Sequence, residues 1–168
     1  SKPVIKFTST KTTTKNTTTT TKKTTKKTNT TTTESTTTTT STSATTTTTT
    51  KSNINSLEYR IENDETVTIT KYIGTDSYIE IPSVIEGKPV TSIGSSAFEG
   101  NMIIKEVILP DTITSVYNYA FSSCKNLESI NFPKSLENIY ECAFQLCTSL
   151  SDITVPGTIK NIPDHAFH

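Results

Sequence analysis

The sequence predicts a mostly β solenoid of parallel strands stacked at a 23-residue period, with short helical or 3-10 turns between them. An N-terminal β-hairpin-like cap should open the stack, preceded by a disordered Thr-rich segment. Three observations lead there. The dipeptide Ala-Phe recurs at Ala97–Phe98, Ala120–Phe121, Ala143–Phe144 and Ala166–Phe167, each 23 residues after the last. Apolar columns keep the same period. The composition also changes abruptly near residue 53.

The 168 residues carry a formal net charge of zero, but that zero is a sum of opposites. Residues 1–52 hold nine Lys, one acid (Glu34) and four apolar residues, a balance of +8. Residues 53–168 hold seven basic and fifteen acidic residues, a balance of −8, with 48 of 116 positions apolar. The first part has too little apolar surface to offset the entropy of ordering it. The second lies near the apolar share of ordinary globular chains. This divides the chain into a disordered linker or stalk (1–52), an irregular N-terminal capping unit (53–92) and the repeats (93–168).

Residues 8–50 contain 29 Thr in 43 positions. Thr favours strands, yet here no apolar face exists for a strand to bury. Ser/Thr tracts are read as stalks for O-linked sugar, although the Pro that usually accompanies them is missing. Two N-x-[ST] sequons, at Asn16 and Asn29, fall inside the tract and make these the N-glycosylation candidates. An unmodified flexible linker remains the plainer reading. The pairs Lys22–Lys23 and Lys26–Lys27 could suggest nuclear import or nucleic-acid binding, but the tract has no aromatic on which a base could stack and no continuous basic run. The opening SKPVIKF could be the tail of a preceding module.

The cap shows strand alternation in LEYRI and TVTITKYI, with the turn cluster Asn63-Asp64-Glu65 between them, which is a hairpin signal. Pro82 to Ile93 is five residues longer than Pro110 to Val116, so the first unit is irregular, as expected of a solenoid terminus. One repeat reads L-x-x-I-x-F-P-x-x-L-x-x-I-x-x-x-A-F-x-x-C. In it Ile130 and Phe132 are two apart and share one side of a strand. Pro133 cannot continue a ladder and stops that strand. Leu136 and Ile139 turn back inward, and Ala143–Phe144 supplies a small and a large core residue. One coil cannot bury its own edge; stacked coils can. The chain stops one residue after Ala166–Phe167, inside a repeat, so the array is expected to be truncated at its C-terminus.

The blocks VTSIGSSAFEGN, ITSVYNYAFSSC and LENIYECAFQLC resemble the BspA-like leucine-rich repeats, also called the Treponema pallidum type. The stretch IEIPSVIEGKPVTSIG is similar to the unit that commonly opens such arrays. The resemblance covers about residues 57–168. It implies a short curved leucine-rich-repeat solenoid with a parallel sheet on one face, in surface or secreted proteins. The roles it implies are adhesion and recognition of proteins or glycans, generally without catalysis.

No catalytic constellation appears. The carboxylates of Asp111, Glu128, Glu137 and Asp152 scatter through variable columns with no spacing that marks an acid–base pair. No phosphate-binding loop or nucleophile elbow is present. Cys124 and Cys147 share a column with Asn101, which reads as a buried turn position contacting nearby backbone. Stacked coils would also place the two within disulfide distance. Cys142 lies off that column and is expected to be partly exposed. His165 shares the column of Ser96, Tyr119 and Cys142, which tolerates any side chain. With His168, it reads as a surface residue, not a metal ligand. No cofactor is implied.

What remains is the variable strand face, expected to be concave. Glu106, Ser129 and Asp152 should form one outward row, and Ile108, Asn131 and Thr154 the other. Small polar and acidic groups in rows suit a protein or glycan ligand, while the acidic domain disfavours nucleic acid. No apolar run approaches the ~18–20 residues of a membrane span. The function expected is a non-catalytic recognition or adhesion module, extracellular or at the cell surface. Two alternatives stand beside it: the ancillary module of a larger secreted, polysaccharide-degrading enzyme joined through the Thr-rich linker, and a structural surface-coat protein.

Overall fold

The computed structural model describes residues 4–8, 54–159 and 162–168. Asn16, Asn29 and the Thr-rich tract lie outside the described residues. Eleven strands are described: β1 (Val4–Thr8), β2 (Leu57–Ile61), β3 (Val67–Tyr72), β4 (Tyr78–Glu80), β5 (Val84–Ile85), β6 (Lys88–Ile93), β7 (Glu106–Ile108), β8 (Ser115–Val116), β9 (Ser129–Ile130), β10 (Asn138–Ile139) and β11 (Asp152–Pro156). Each coil contributes two short strands, which stack into two rows. One row runs β3-β6-β8-β10, all parallel, with β2 antiparallel on the outer edge of β3. The other runs β4-β7-β9, also parallel.

The cap is built from two hairpins. β2 and β3 pair across the Asn63–Glu65 turn, where Glu65 takes a left-handed φ of 64°. The five extra residues after Pro82 become a second hairpin, β5 to β6, turning on Glu86 and Gly87. Both central residues have positive φ, 51° and 75°. That is the geometry a two-residue loop needs to match strand twist, and Gly adopts it without steric cost.

The core lies between the two rows. Phe98, Phe121, Phe144 and Phe167 form a continuous ladder, with ring centroids 4.8, 5.3 and 5.1 Å apart and planes within 12°. The spacing is close to that between adjacent strands of a sheet. Tyr72 extends the ladder into the cap, 5.4 Å from Phe98. It stands 26 residues before Phe98, outside the period, because the cap reaches the same place by a different chain path. Ile104, Leu127 and Leu150 are buried, as are Val107, Ile130 and Ile153. The Ala of each Ala-Phe pair is buried as well.

Coil-to-coil hydrogen bonds continue outside the strands. Phe98 N–H donates to Ala120 O (2.7 Å), Phe121 N–H to Ala143 O (2.8 Å) and Phe144 N–H to Ala166 O (2.8 Å). The turns that make this possible place residues 96, 119 and 142 at φ of 57°, 59° and 56°. Residues 100, 123 and 146 are also left-handed, at 70°, 61° and 59°. The column of Ser96, Tyr119 and Cys142 therefore has no side-chain preference but a demanding backbone. Only Gly100, among these six, is the residue type suited to it.

Five residues of the 1–52 segment enter the fold. β1 pairs in parallel with β11 through Val4–Asp152, Ile5–Ile153, Lys6–Thr154, Phe7–Val155 and Thr8–Pro156. The register aligns Ile5 with the Val107/Ile130/Ile153 column and Phe7 with the Leu109/Phe132/Val155 column. The segment VIKF thus carries the I-x-F spacing of a repeat strand and takes the position of one.

Candidate functional site

The row β4-β7-β9 holds the residues singled out for recognition. Its central positions, Ile79, Val107 and Ile130, point into the core, so alternate residues must face outward. Tyr78, Glu106 and Ser129 stand in register on one side. All three are exposed. Among the described residues, neither Glu106 nor Ser129 gives its side chain to an internal bond. Lys105 and Glu128 form a 3.1 Å ion pair beside them, each side chain 59 % exposed. Such a pair contributes little stability, and both ends stay open to a ligand.

The second row is less uniform. Ile108 is half-buried and pairs in register with Glu80. Asn131 does not present a free amide. Its Oδ1 accepts from Leu109 N–H (2.6 Å) and its Nδ2 donates to Leu109 O (2.9 Å), so one side chain satisfies both polar groups of a residue in the preceding coil. This substitutes for a ladder bond past the end of β9 and makes Asn131 a clamp of the fold. Asp152 and Thr154 lie on β11, with Val4 and Lys6 of β1 as their lateral neighbours. The structure therefore groups Glu106, Ile108 and Ser129 on β7 and β9, bonds the amide of the exposed Asn131 to Leu109, and sets Asp152 and Thr154 beside β1.

The sulfur chemistry is structural. Cys124 Sγ donates to Phe98 O and Cys147 Sγ to Phe121 O, both at 3.0 Å, each thiol reaching back to the preceding coil. Asn101 fills the same column with a carboxamide that accepts from Ile103 and Ile104 N–H at 2.8 and 3.0 Å. All three cysteines are free thiols, so the distance-compatible disulfide is not formed. Burial pushes the thiols of Cys124 and Cys147 up to about 12, leaving them protonated and inert. Cys142, expected to be partly exposed, is buried, with Tyr119 of the preceding coil as its neighbour. His165 and His168 are exposed and meet edge to face at 5.3 Å. Among the described residues no cluster of His, Cys, Asp or Glu could hold a metal ion. No helix among them is long and apolar enough to cross a membrane.

Sequence reasoning missed a second feature, on the other strand row. Tyr117 and Tyr140 occupy one repeat column and their rings stack at 4.9 Å. The same column begins with Gly94, and an open cleft lies between Gly94 and Tyr117. A Gly-Tyr-Tyr column was the available signal, but period counting weighs only apolar columns that stay apolar.

A family model of the BspA type leucine rich repeat region matches residues 67–168 in six copies. Among solved structures, a leucine rich repeat protein of Treponema pallidum is similar at 31% identity and a TM-score of 0.61, over 62% of this chain and 50% of that one. A leucine-rich repeat protein from Bacteroides capillosus is 32% identical with a TM-score of 0.60, over 65% of this chain and 84% of its own. A leucine rich cell surface protein from Faecalibacterium prausnitzii is 30% identical with a TM-score of 0.54, over 60% of this chain and 30% of that one. The chain thus spans about half the length of the Treponema protein and less of the Faecalibacterium one. No curated protein matches it. The six matched copies extend over more than half of the sequence, and the chain belongs to the BspA-type leucine-rich repeat proteins.

Proposed function

We propose that this chain is a non-catalytic recognition module, extracellular or at the cell surface, that binds a protein or glycan through the outward face of β4, β7 and β9. The observation that carries the reading is the in-register set Tyr78, Glu106 and Ser129, exposed on strands whose central residues are locked in a stacked core. A rigid row of side chains spaced at the strand interval binds by several weak contacts at once and loses little entropy in doing so. The Lys105–Glu128 pair adds one donor and one acceptor at the edge of that row. Surface placement is supported by the Faecalibacterium neighbour, described as a cell surface protein. The Thr-rich tract serves in this reading as a spacer, glycosylated at Asn16, Asn29 or its Thr residues.

The test is binding of the immobilised full chain to a panel of extracellular-matrix proteins and glycans, repeated with the Glu106→Lys, Ser129→Lys double variant. A panel member that binds the parent should lose about tenfold or more in affinity for the variant, a change of ~1.4 kcal/mol or more. Binding that ignores the double variant would move recognition off this face.

A further inference from the structure

The Tyr column of the β6-β8-β10 row is incomplete in a specific way. Tyr117 packs one ring face on Tyr140, 4.9 Å away with planes 11° apart. One coil earlier the column holds Gly94. Its N–H donates to Ile69 O at 2.8 Å, and a Cβ added there would come within 2.8 Å of that same oxygen. The close approach of two coils therefore excludes any side chain at this position. Where a third ring would continue the stack, the surface opens into a cleft of about 370 Å³. Besides Gly94 and Tyr117, it is lined by Arg60, Glu62, Thr68, Thr70 and Ser95.

The lining is polar and electrically balanced. Arg60 grips Glu62 with two donors, Nε at 3.1 Å and Nη2 at 2.7 Å from Oε1. A guanidinium has five N–H donors, so most of the fork remains for another acceptor. Thr68 is buried near Glu62, and Arg60 first and Thr68 second hold the Glu62 carboxyl below the usual carboxylate range. Glu62 thus stays an anionic acceptor, held in place by Arg60. Thr70 and Ser95 add hydroxyls that both donate and accept.

We propose that this cleft is a carbohydrate subsite that takes a neutral pyranose ring, stacked on the free face of Tyr117 and hydrogen-bonded by Arg60, Glu62, Thr70 and Ser95. An aromatic face is electron-rich and attracts the weakly positive C–H groups on one side of a sugar ring. The ring's hydroxyls match a wall of fixed donors and acceptors. One cation and one anion cancel within the cleft, which favours a neutral polyol over a phosphate, a sugar acid or an amine. The volume sits at the small end of the ~300–1,000 Å³ range of small-molecule sites, room for one or two rings. The subsite lies on the strand row other than the one proposed for recognition and does not depend on that proposal.

The experiment is calorimetric titration and saturation-transfer NMR on the full chain. The probes are the methyl pyranosides of glucose, mannose, galactose and xylose, together with cellotriose, mannotriose and xylotriose. At least one probe should bind saturably. Its affinity should fall about tenfold or more in Arg60→Ala, which alters only an exposed side chain, and in Thr70→Trp, which fills the cleft. Tyr117→Leu should lose it too, while Glu106→Lys should not. The proposal is overturned if no probe binds the parent chain, or if binding survives both Arg60→Ala and Thr70→Trp. Saturation by a tyrosine- or tryptophan-bearing peptide without any response to the sugars would also overturn it, assigning the cleft to a protein side chain.

Discussion

Replacing Phe121 by Ala removes the middle ring of the core ladder. Phe121 is fully buried, with Phe98 at 4.8 Å on one face and Phe144 at 5.3 Å on the other. Phe→Ala in a core costs ~3–5 kcal/mol, the transfer term plus the cavity left behind. Two effects push this site to the upper end. Each aromatic contact contributes ~0.5–1.5 kcal/mol beyond its buried area. The cavity also cannot collapse, because the coils on either side are pinned by the Phe98–Ala120 and Phe121–Ala143 backbone bonds. A loss of ~4–5 kcal/mol is expected, a large part of the ~5–15 kcal/mol that holds an ordinary domain. Urea unfolding followed by circular dichroism would measure it, with a parallel series on Phe167→Ala. Phe167 is the last ring of the ladder and 9 % exposed, so its truncation should cost visibly less, ~2–3 kcal/mol. Equal losses at the two sites, or a loss under ~1 kcal/mol at Phe121, would refute the stacked-coil account of stability.

Other outcomes follow from the turns, the thiols and the edge strand. Gly100→Ala should cost ~1 kcal/mol although a Cβ there meets nothing within 4 Å, because φ is +70° and the strain is purely conformational; a stabilised variant would contradict this. Cys124 and Cys147 should resist iodoacetamide in the folded chain at pH 8 and react on unfolding, as counted by mass spectrometry; rapid labelling of the native protein would show that they are not buried as described. The same thiols give an alkaline limit. Their folded values, about 12, exceed the ordinary 9.0, so the unfolded chain releases protons first and stability should fall as pH rises from about 9 toward 12. A melting temperature that holds constant up to pH 11 would be inconsistent with that order of titration. Finally, Lys6→Cys with Thr154→Cys should form a disulfide within one chain under mild oxidation, since these are register partners on adjacent parallel strands. Failure to exceed an out-of-register control pair, read on non-reducing gels, would remove β1 from the β11 edge.

The period legible in the sequence located the core of the repeats, though not that of the cap, because a solenoid repeats its environment and so repeats its residue types. Val107, Ile130 and Ile153 had to be equivalent, and all three are buried. The I-x-F spacing of Val4–Thr8 was readable in principle, and its apolar residues set it apart from the tract that follows, yet five residues do not say which strand they will pair with. Its pairing with a partner nearly 150 residues away is a tertiary event. The candidate face was half legible. The alternation of strands identified Glu106 and Ser129, but Asn131 looked equally available, and only the position of Leu109 in the neighbouring coil shows that its amide is already used.

The sequence by itself determined the repeat, the class of fold, the hairpin that opens it and the division of charge between two unlike parts. These depend on composition and on short-range spacing, which one chain displays in full. The tertiary structure alone decided three further matters: that Cys142 is covered, that Tyr72 joins a ladder from outside the period, and that Gly94 leaves Tyr117 with an uncovered face. Each of these depends on what the adjacent coil places within a few ångströms, and a linear pattern contains no such distances.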